Sequence, residues 1–84
     1  MTFKRGDIVT FTENDKVLVL DALLYEGTEY LFVNEILPDE SDITNKYKVM
    51  KANYDDGTLE KVIDPEILQN VLPIFSEKLE KYND

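Results

Sequence analysis

Residues 16–36, KVLVLDALLYEGTEYLFVNEI, hold two apolar runs on either side of Glu26-Gly27. In the first run, alternate positions are apolar on one face and nearly so on the other, which is typical of a strand covered on both sides. Glycine takes the positive φ that a tight hairpin loop needs, so Gly27 marks a turn and the second run returns as the next strand. The stretch therefore predicts an antiparallel hairpin with strands at 16–25 and 29–36.

The register of this hairpin depends on the length of its loop. A two-residue loop would pair Ala22 with Leu31 and Leu20 with Val33, whereas a three-residue loop with a bulge would pair Leu20 with Phe32. Shifting the pairing by one residue moves every side chain to the other face of the sheet. The sequence leaves both registers open.

Three further strands are predicted around this hairpin. A short strand at 8–12 precedes it and is joined to it by the turn residues 13–15, while strands at 47–54 and 58–63 follow it and flank Asp55-Asp56-Gly57. Residues 37–45 contain Pro38 and a run of polar and acidic residues, so they are predicted to form an exposed loop. The order of strands predicts an antiparallel meander.

A change of period after residue 63 predicts a helix over 65–82. Asp64 can cap free backbone N–H groups, Pro65 suits the first helical position, and apolar residues then recur at helical spacing. Pro73 lies inside this segment, where proline costs about 3 kcal/mol, so we expect a helix that is kinked or split there. In an alternative interpretation, the second half docks on another chain with Ile74 and Phe75 exposed.

Length and composition predict a single small domain over residues 1–84, and the pattern of five strands followed by a helix predicts the α+β class. The chain is 43% hydrophobic, and it lacks cysteine, so packing rather than disulfides must stabilise it. The expected architecture is a five-stranded, mostly antiparallel sheet, either open or curled into a partly open barrel, with the C-terminal helix packed on one face.

Charge and composition also restrict the function. With 18 acidic and 9 basic residues the net charge is −9, which disfavours direct binding to nucleic acid or to anionic membranes. The N-terminus has no apolar signal core and no apolar run is long enough to span a membrane, so a cytoplasmic location is expected.

Catalytic, cofactor and metal sites are not predicted. The chain has no histidine or cysteine, which removes the commonest general base and nucleophile pairs, so we do not expect an enzyme. The acids at 39–42 and the Asp55-Asp56-Gly57 segment lack the oxygen spacing of a calcium loop.

The window between Lys16 and Lys46 contains no basic residue, and its acids supply the candidate site. We predict that an acidic edge binds the basic surface of an unknown protein. An acidic face that imitates nucleic-acid phosphates and blocks a nucleic-acid-binding protein is one alternative. A homodimer formed through a free strand edge, or through the face that carries Val17, Val19 and Leu23, is another. Acids that only provide solubility are a third. The predicted partner-binding residues are Glu26, Glu29, Glu35, Asp39, Glu40 and Asp42.

Four segments carry a resemblance to a known family. The opening KRGDIVTF at 4–11, YEGTEY at 25–30, the Asp56-Gly57 turn and Asp64-Pro65-Glu66 before the last helix resemble an uncharacterised family of small acidic proteins of Gram-positive bacteria and their mobile elements. The resemblance implies an α+β sheet with a C-terminal helix and brings no catalytic or binding residues. In size and acidity the chain is also similar to small phage-borne inhibitors of bacterial defence systems. The Gly-Asp-Ile-Val opening is similar to the first strand of SH3-like barrels, which implies a strongly curled sheet.

Overall fold

The computed structural model describes residues 3–53 and 55–82 and confirms the predicted meander. The sheet has the order β1-β2-β3-β4-β5, with each neighbouring pair antiparallel, and one helix follows it. The predicted end of the fourth strand at residue 54 lies outside the described residues. The elements are β1 (Ile8–Thr12), β2 (Asp15–Tyr25), β3 (Thr28–Ile36), β4 (Ile43–Asn53), β5 (Thr58–Lys61) and α1 (Pro65–Tyr82).

The turn of the β2–β3 hairpin is the two-residue loop, and a bulge lies further along β2. Glu26 and Gly27 have φ values of 49° and 80°, and Ala22 pairs with Leu31 as the two-residue loop requires. The register then shifts between Val19 and Asp21. Val19 pairs with Val33 and Asp21 with Phe32, so both pairings predicted for Leu20 were wrong.

The bulge mixes the two faces that strict alternation predicted for β2. Val17 and Val19 point to one face with Ala22, whereas Asp21 and Leu23 point to the other, because one extra residue reverses the alternation. We call the face that carries Val17, Val19 and Ala22 the inner face. The face that carries Asp21 and Leu23 packs on α1, and we call it the helix face.

The inner face is closed by the curl of the sheet itself. Val9 from β1 and Leu59 from β5, the two edge strands, pack against the same cluster, as does Phe3. The sheet is therefore a partly open barrel. Val17 and Val19, which were predicted to lie on a possible homodimer face, are fully buried in this core. The buried members are Val17, Val19, Ala22, Leu31, Val33 and Met50.

Strand β4 begins at Ile43, four positions earlier than predicted, and β5 ends at Lys61, two positions earlier. The cause at β4 is the buried Asn34, whose Nδ2 donates to the carbonyl oxygens of Thr44 at 2.8 Å and Lys46 at 3.0 Å. These two bonds hold an irregular part of β4 against β3, where the register shifts. The connection between β3 and β4 therefore shrinks to residues 37–42.

The helix α1 begins and ends at the predicted residues. The Oδ1 of Asp64 accepts a hydrogen bond from the backbone N–H of Glu66 at 2.9 Å, which is the expected N-terminal cap. One helix of 18 residues runs through Pro73, so of the two forms predicted there, kinked or split, the split form was wrong. Val71 and Phe75, on either side, are both buried. Burial of each is worth about 1.5–3 kcal/mol, which offsets the cost of an interior proline of about 3 kcal/mol.

Phe75 anchors the helix on the sheet, so the alternative interpretation that exposed it on a docking surface was wrong. Its side chain is 1% exposed and its ring stacks on Phe32 with centroids 5.6 Å apart. Three residues later, the Nζ of Lys78 lies 3.2 Å from Oδ1 of the buried Asp21 and donates to the Ala22 carbonyl at 2.7 Å. The second half of α1 therefore belongs to the core of the domain.

Candidate interaction surface

The six acids predicted to bind a partner fall into two groups rather than one edge. Glu26 and Glu29 lie at the turn between β2 and β3, whereas the other four lie at the far end of β3 and in the loop that follows it. Glu29 and Glu35, the nearest members of the two groups, are six positions apart along β3, which is about 20 Å. A mimic of nucleic acid would need its carboxylates in one row at phosphate-like spacing, and that alternative stays a prediction.

Glu29 is fully buried, so its predicted place on an exposed surface was wrong. It shares the inner face with Leu31, two positions along β3, and one carboxylate oxygen accepts a hydrogen bond from the backbone N–H of Phe3 at 3.2 Å. This carboxylate holds the N-terminal segment over the inner core. Its role is structural in this arrangement.

The loop at 37–42 is a compact turn that displays its acids. The N–H of Leu37 donates to the Asp42 carbonyl at 3.0 Å, and the N–H of Glu40 donates to the Leu37 carbonyl at 2.8 Å. Asp39 accepts bonds through Oδ1 from the Ser41 hydroxyl at 2.7 Å and from its backbone N–H at 3.1 Å. These two bonds favour the ionised form and lower the pKa of Asp39 below its ordinary value of 3.8.

An ion pair brings a second connection to this loop. The Nζ of Lys16, at the start of β2, lies 2.9 Å from Oε2 of Glu40. The turn at 13–14, which carries Glu13 and is followed by Asp15 at the start of β2, therefore lies at the same end of the sheet as the 37–42 loop. Sequence reasoning missed these two acids because they precede the base-free window. We call this end of the molecule the acidic end, and its acids are Glu13, Asp15, Glu35, Asp39, Glu40 and Asp42.

Apolar side chains are exposed among these acids. Phe11, Leu37 and Ile43 are 38%, 41% and 51% exposed. Leu37 and Ile43 bracket the acidic loop, and Phe11 lies at the register shift of β1 opposite Asp15 and Lys16. Apolar residues surrounded by charged ones are the usual composition of a protein interface. Ile43, the one apolar residue in the polar stretch from Asp39 to Lys46, was the sequence signal that could have indicated this patch.

The acids of the acidic end spread over its surface. Among the described residues, no group of three or more acidic side chains converges closely enough to hold a metal ion. The arrangement therefore suits contact with several cationic groups of a protein better than coordination of one cation.

The opposite end of the sheet carries a smaller acidic group, formed by Glu26 with Asp55 and Asp56 of the β4–β5 turn. Asp56 accepts bonds from the Thr58 hydroxyl at 2.7 Å and from the Thr58 backbone N–H at 3.0 Å, which lower its pKa below 3.8. This turn is therefore held by its own side chains. It offers an internal comparison for the acidic end.

The two buried carboxylates are poorly placed for chemistry. Asp21 lies on the helix face opposite Phe32, whereas Glu29 lies on the inner face. The sheet separates them, so they cannot act together on one substrate as an acid and a base do.

No described helix is both long enough and apolar enough to cross a membrane.

No protein-family model, curated protein or solved structure matches the chain, so the resemblance drawn from its sequence stays a prediction.

Proposed function

We propose that this protein is a non-enzymatic binding protein whose acidic end docks on a basic surface of a partner protein. The observation that carries the proposal is the convergence of two separate connections, at 13–15 and 37–42, on one end of the sheet. Three exposed apolar side chains lie at the same end of the sheet as their carboxylates. Steering by the carboxylates and burial of the apolar groups would act together in such a contact.

Several features support binding over catalysis. The chain lacks histidine and cysteine, its two described buried carboxylates lie on opposite faces, and three grooves on the described surface have volumes of only about 240–280 Å³. Ligand sites commonly have about 300–1,000 Å³. The net charge of −9 favours a basic protein over a nucleic acid or an anionic lipid surface as the partner.

A pull-down from a lysate of the encoding organism tests the proposal. The test variant carries Asp39→Asn, Glu40→Gln and Asp42→Asn, and the matched control carries Glu26→Gln, Asp55→Asn and Asp56→Asn at the opposite end. Both lose three charges and keep the shape of the side chains. Circular dichroism of each variant verifies the fold.

We expect wild type and the control to capture the same basic protein at low salt, and the test variant to lose it. High salt should release the partner, because interactions between exposed charges are screened beyond a Debye length of about 10 Å at 0.1 M. Equal capture by both variants would mean that the acidic end mainly keeps the protein soluble.

A further inference from the structure

An apolar groove runs along the helix face between β4 and the first half of α1. Its volume is about 280 Å³. Tyr47 and Leu72 form its two walls and are 54% and 41% exposed. The Tyr47 ring stacks on Phe32 with centroids 5.7 Å apart and planes at 4°, so this wall is held in place without a ligand. The apolar lining consists of Phe32, Tyr47, Val49, Val62, Leu68 and Leu72.

Two lysines also border the groove, but the strand register directs their side chains elsewhere. Lys48 pairs with Val33 and Lys61 with Met50, and both partners belong to the inner cluster. Cross-strand partners share a face, so both lysine side chains leave the backbone on the inner face of the sheet, away from the helix. The floor of the groove is consequently apolar.

The groove is continuous with the acidic end. Ile43 pairs with Ile36 and Tyr47 with Asn34, and because Ile36 and Asn34 are two positions apart, Ile43 and Tyr47 lie on the same face. Ile43 directly follows the acidic loop. A line of exposed apolar side chains therefore leads from the acidic end, through Ile43 and Tyr47, to Leu72 of the groove.

We infer that the groove and the acidic end form one docking surface for a basic amphipathic helix of the partner protein. This inference rests on the proposed function. Apolar residues spaced at i, i+3 or i+4, and i+7 would fill the groove, and lysines or arginines at one end of the helix would contact the acidic loop. The charge at one end of an apolar groove selects for such an occupant and fixes its direction.

The position of the groove favours a helix over an extended peptide. Its lining comes from the face of β3 and β4 and from α1, where the backbone groups already bond within the sheet and the helix. An extended peptide would have to leave its own N–H and C=O groups without partners there, whereas a helix satisfies them internally. The groove is also smaller than most ligand sites, so it suits individual side chains of a protein.

The test uses a synthetic amphipathic helix of about 18 residues, or five turns, built from leucine and lysine. Its control is the same peptide with glutamate in place of each lysine. Each peptide is titrated into ¹⁵N-labelled protein and followed by NMR. We expect the basic peptide to shift the amide signals of Asp42, Ile43, Tyr47 and Leu72, and to bind at least about tenfold more tightly than the acidic one.

Two matched variants locate the contact. Leu72→Ser removes one wall of the groove, whereas Leu24→Ser changes a leucine that is 59% exposed on the inner face near the β2–β3 turn. We expect Leu72→Ser to lower the affinity for the basic peptide about fivefold to tenfold and Leu24→Ser to leave this affinity unchanged. Equal effects of the two variants, or equal affinity for both peptides, would overturn the inference.

A third arm separates this inference from the proposed function. If the variant with Asp39→Asn, Glu40→Gln and Asp42→Asn loses the basic peptide while Leu72→Ser keeps it, the acidic end binds alone and the groove inference is wrong. If Leu72→Ser loses the basic peptide while the triple variant keeps it, the groove binds without selecting charge. The proposed function of the acidic end then fails instead.

A second copy of this chain is the competing occupant of the groove. Light scattering at increasing protein concentration would reveal it as a dimer that Leu72→Ser abolishes. That result would overturn the inference, and a wild type that stays monomeric would support it.

Discussion

Lys78→Met tests how α1 is held on the sheet. The Lys78 ammonium lies 3.2 Å from Oδ1 of Asp21 and donates to the Ala22 carbonyl. Methionine keeps the apolar stem but removes both contacts, and it leaves a carboxylate that is 5% exposed without a cation. Breaking a fully buried pair costs about 3–5 kcal/mol.

The expected cost here is smaller, because the Lys78 side chain is 33% exposed and water can partly replace the ammonium. We expect the free energy of unfolding to fall by about 2 kcal/mol. For a domain of this size that corresponds to a fall in Tm of about 8–16 °C. Urea denaturation followed by far-UV circular dichroism measures the change, with Lys46→Met, an exposed lysine, as the control.

A double-mutant cycle with Asp21→Asn isolates the pair. Asparagine retains an acceptor for the Ala22 N–H, which donates to Oδ1 of Asp21 at 2.9 Å, but it removes the charge. The loss in the double variant should be smaller than the sum of the single losses by about 1–2 kcal/mol. Additive losses, or a Lys78→Met variant as stable as Lys46→Met, would show that the ion pair does not hold the helix.

Three other predictions concern single elements. Phe75→Ala should lower the free energy of unfolding by about 3–5 kcal/mol, since it empties the contact with Phe32, and loss of less than about 1 kcal/mol in urea denaturation would contradict the packing described. Glu26→Asn should raise the free energy of unfolding by a few tenths of a kcal/mol to about 1 kcal/mol, because asparagine tolerates the φ of 49° better than glutamate. A thermal melt that shows no increase in Tm would argue against this turn. Thr58→Val removes the hydroxyl that donates to Asp56 and should raise the pKa of Asp56 toward 3.8, as an NMR titration of the carboxyl signal would measure. Because that pKa is lowered in the folded state, the bond stabilises the fold above pH 3.8 and its contribution is lost as the pH falls through the lowered pKa, so wild type and variant should converge in stability in strong acid.

The elements that the sequence predicted well are determined by local chemistry. The cap at Asp64 and the apolar spacing after it act within a few residues of one another, and the same is true of the turn at Gly27. Positive φ at the turn requires glycine or a similarly permissive residue regardless of what packs nearby. Neighbouring residues alone were therefore enough to predict the helix and the hairpin.

The candidate surface was predicted only in part, because its composition depends on contacts between distant segments. Glu29 looked exposed beside the turn, but it is covered by an N-terminal segment 26 positions away that bonds to its carboxylate. In the sequence, Glu13 and Asp15 lie outside the acidic window. They belong to the same end of the molecule because Lys16 pairs with Glu40, which is 24 positions further along the chain. No local pattern carries information of this kind.

The bulge at Leu20 shows how one such contact changes the interpretation of a whole strand. Asp21 is the single acid in the apolar run 16–25, and strict alternation from Val17 and Val19 would bury it in the inner core, on the opposite face from Lys78. That placement is costly, since a buried charge must be paired. One extra residue in β2 turns Asp21 to the helix face, where Lys78 meets it, and the next residue, Ala22, takes its place in the inner core. The bulge and the ion pair are therefore one feature, and the acid in the middle of the run was its only trace in the sequence.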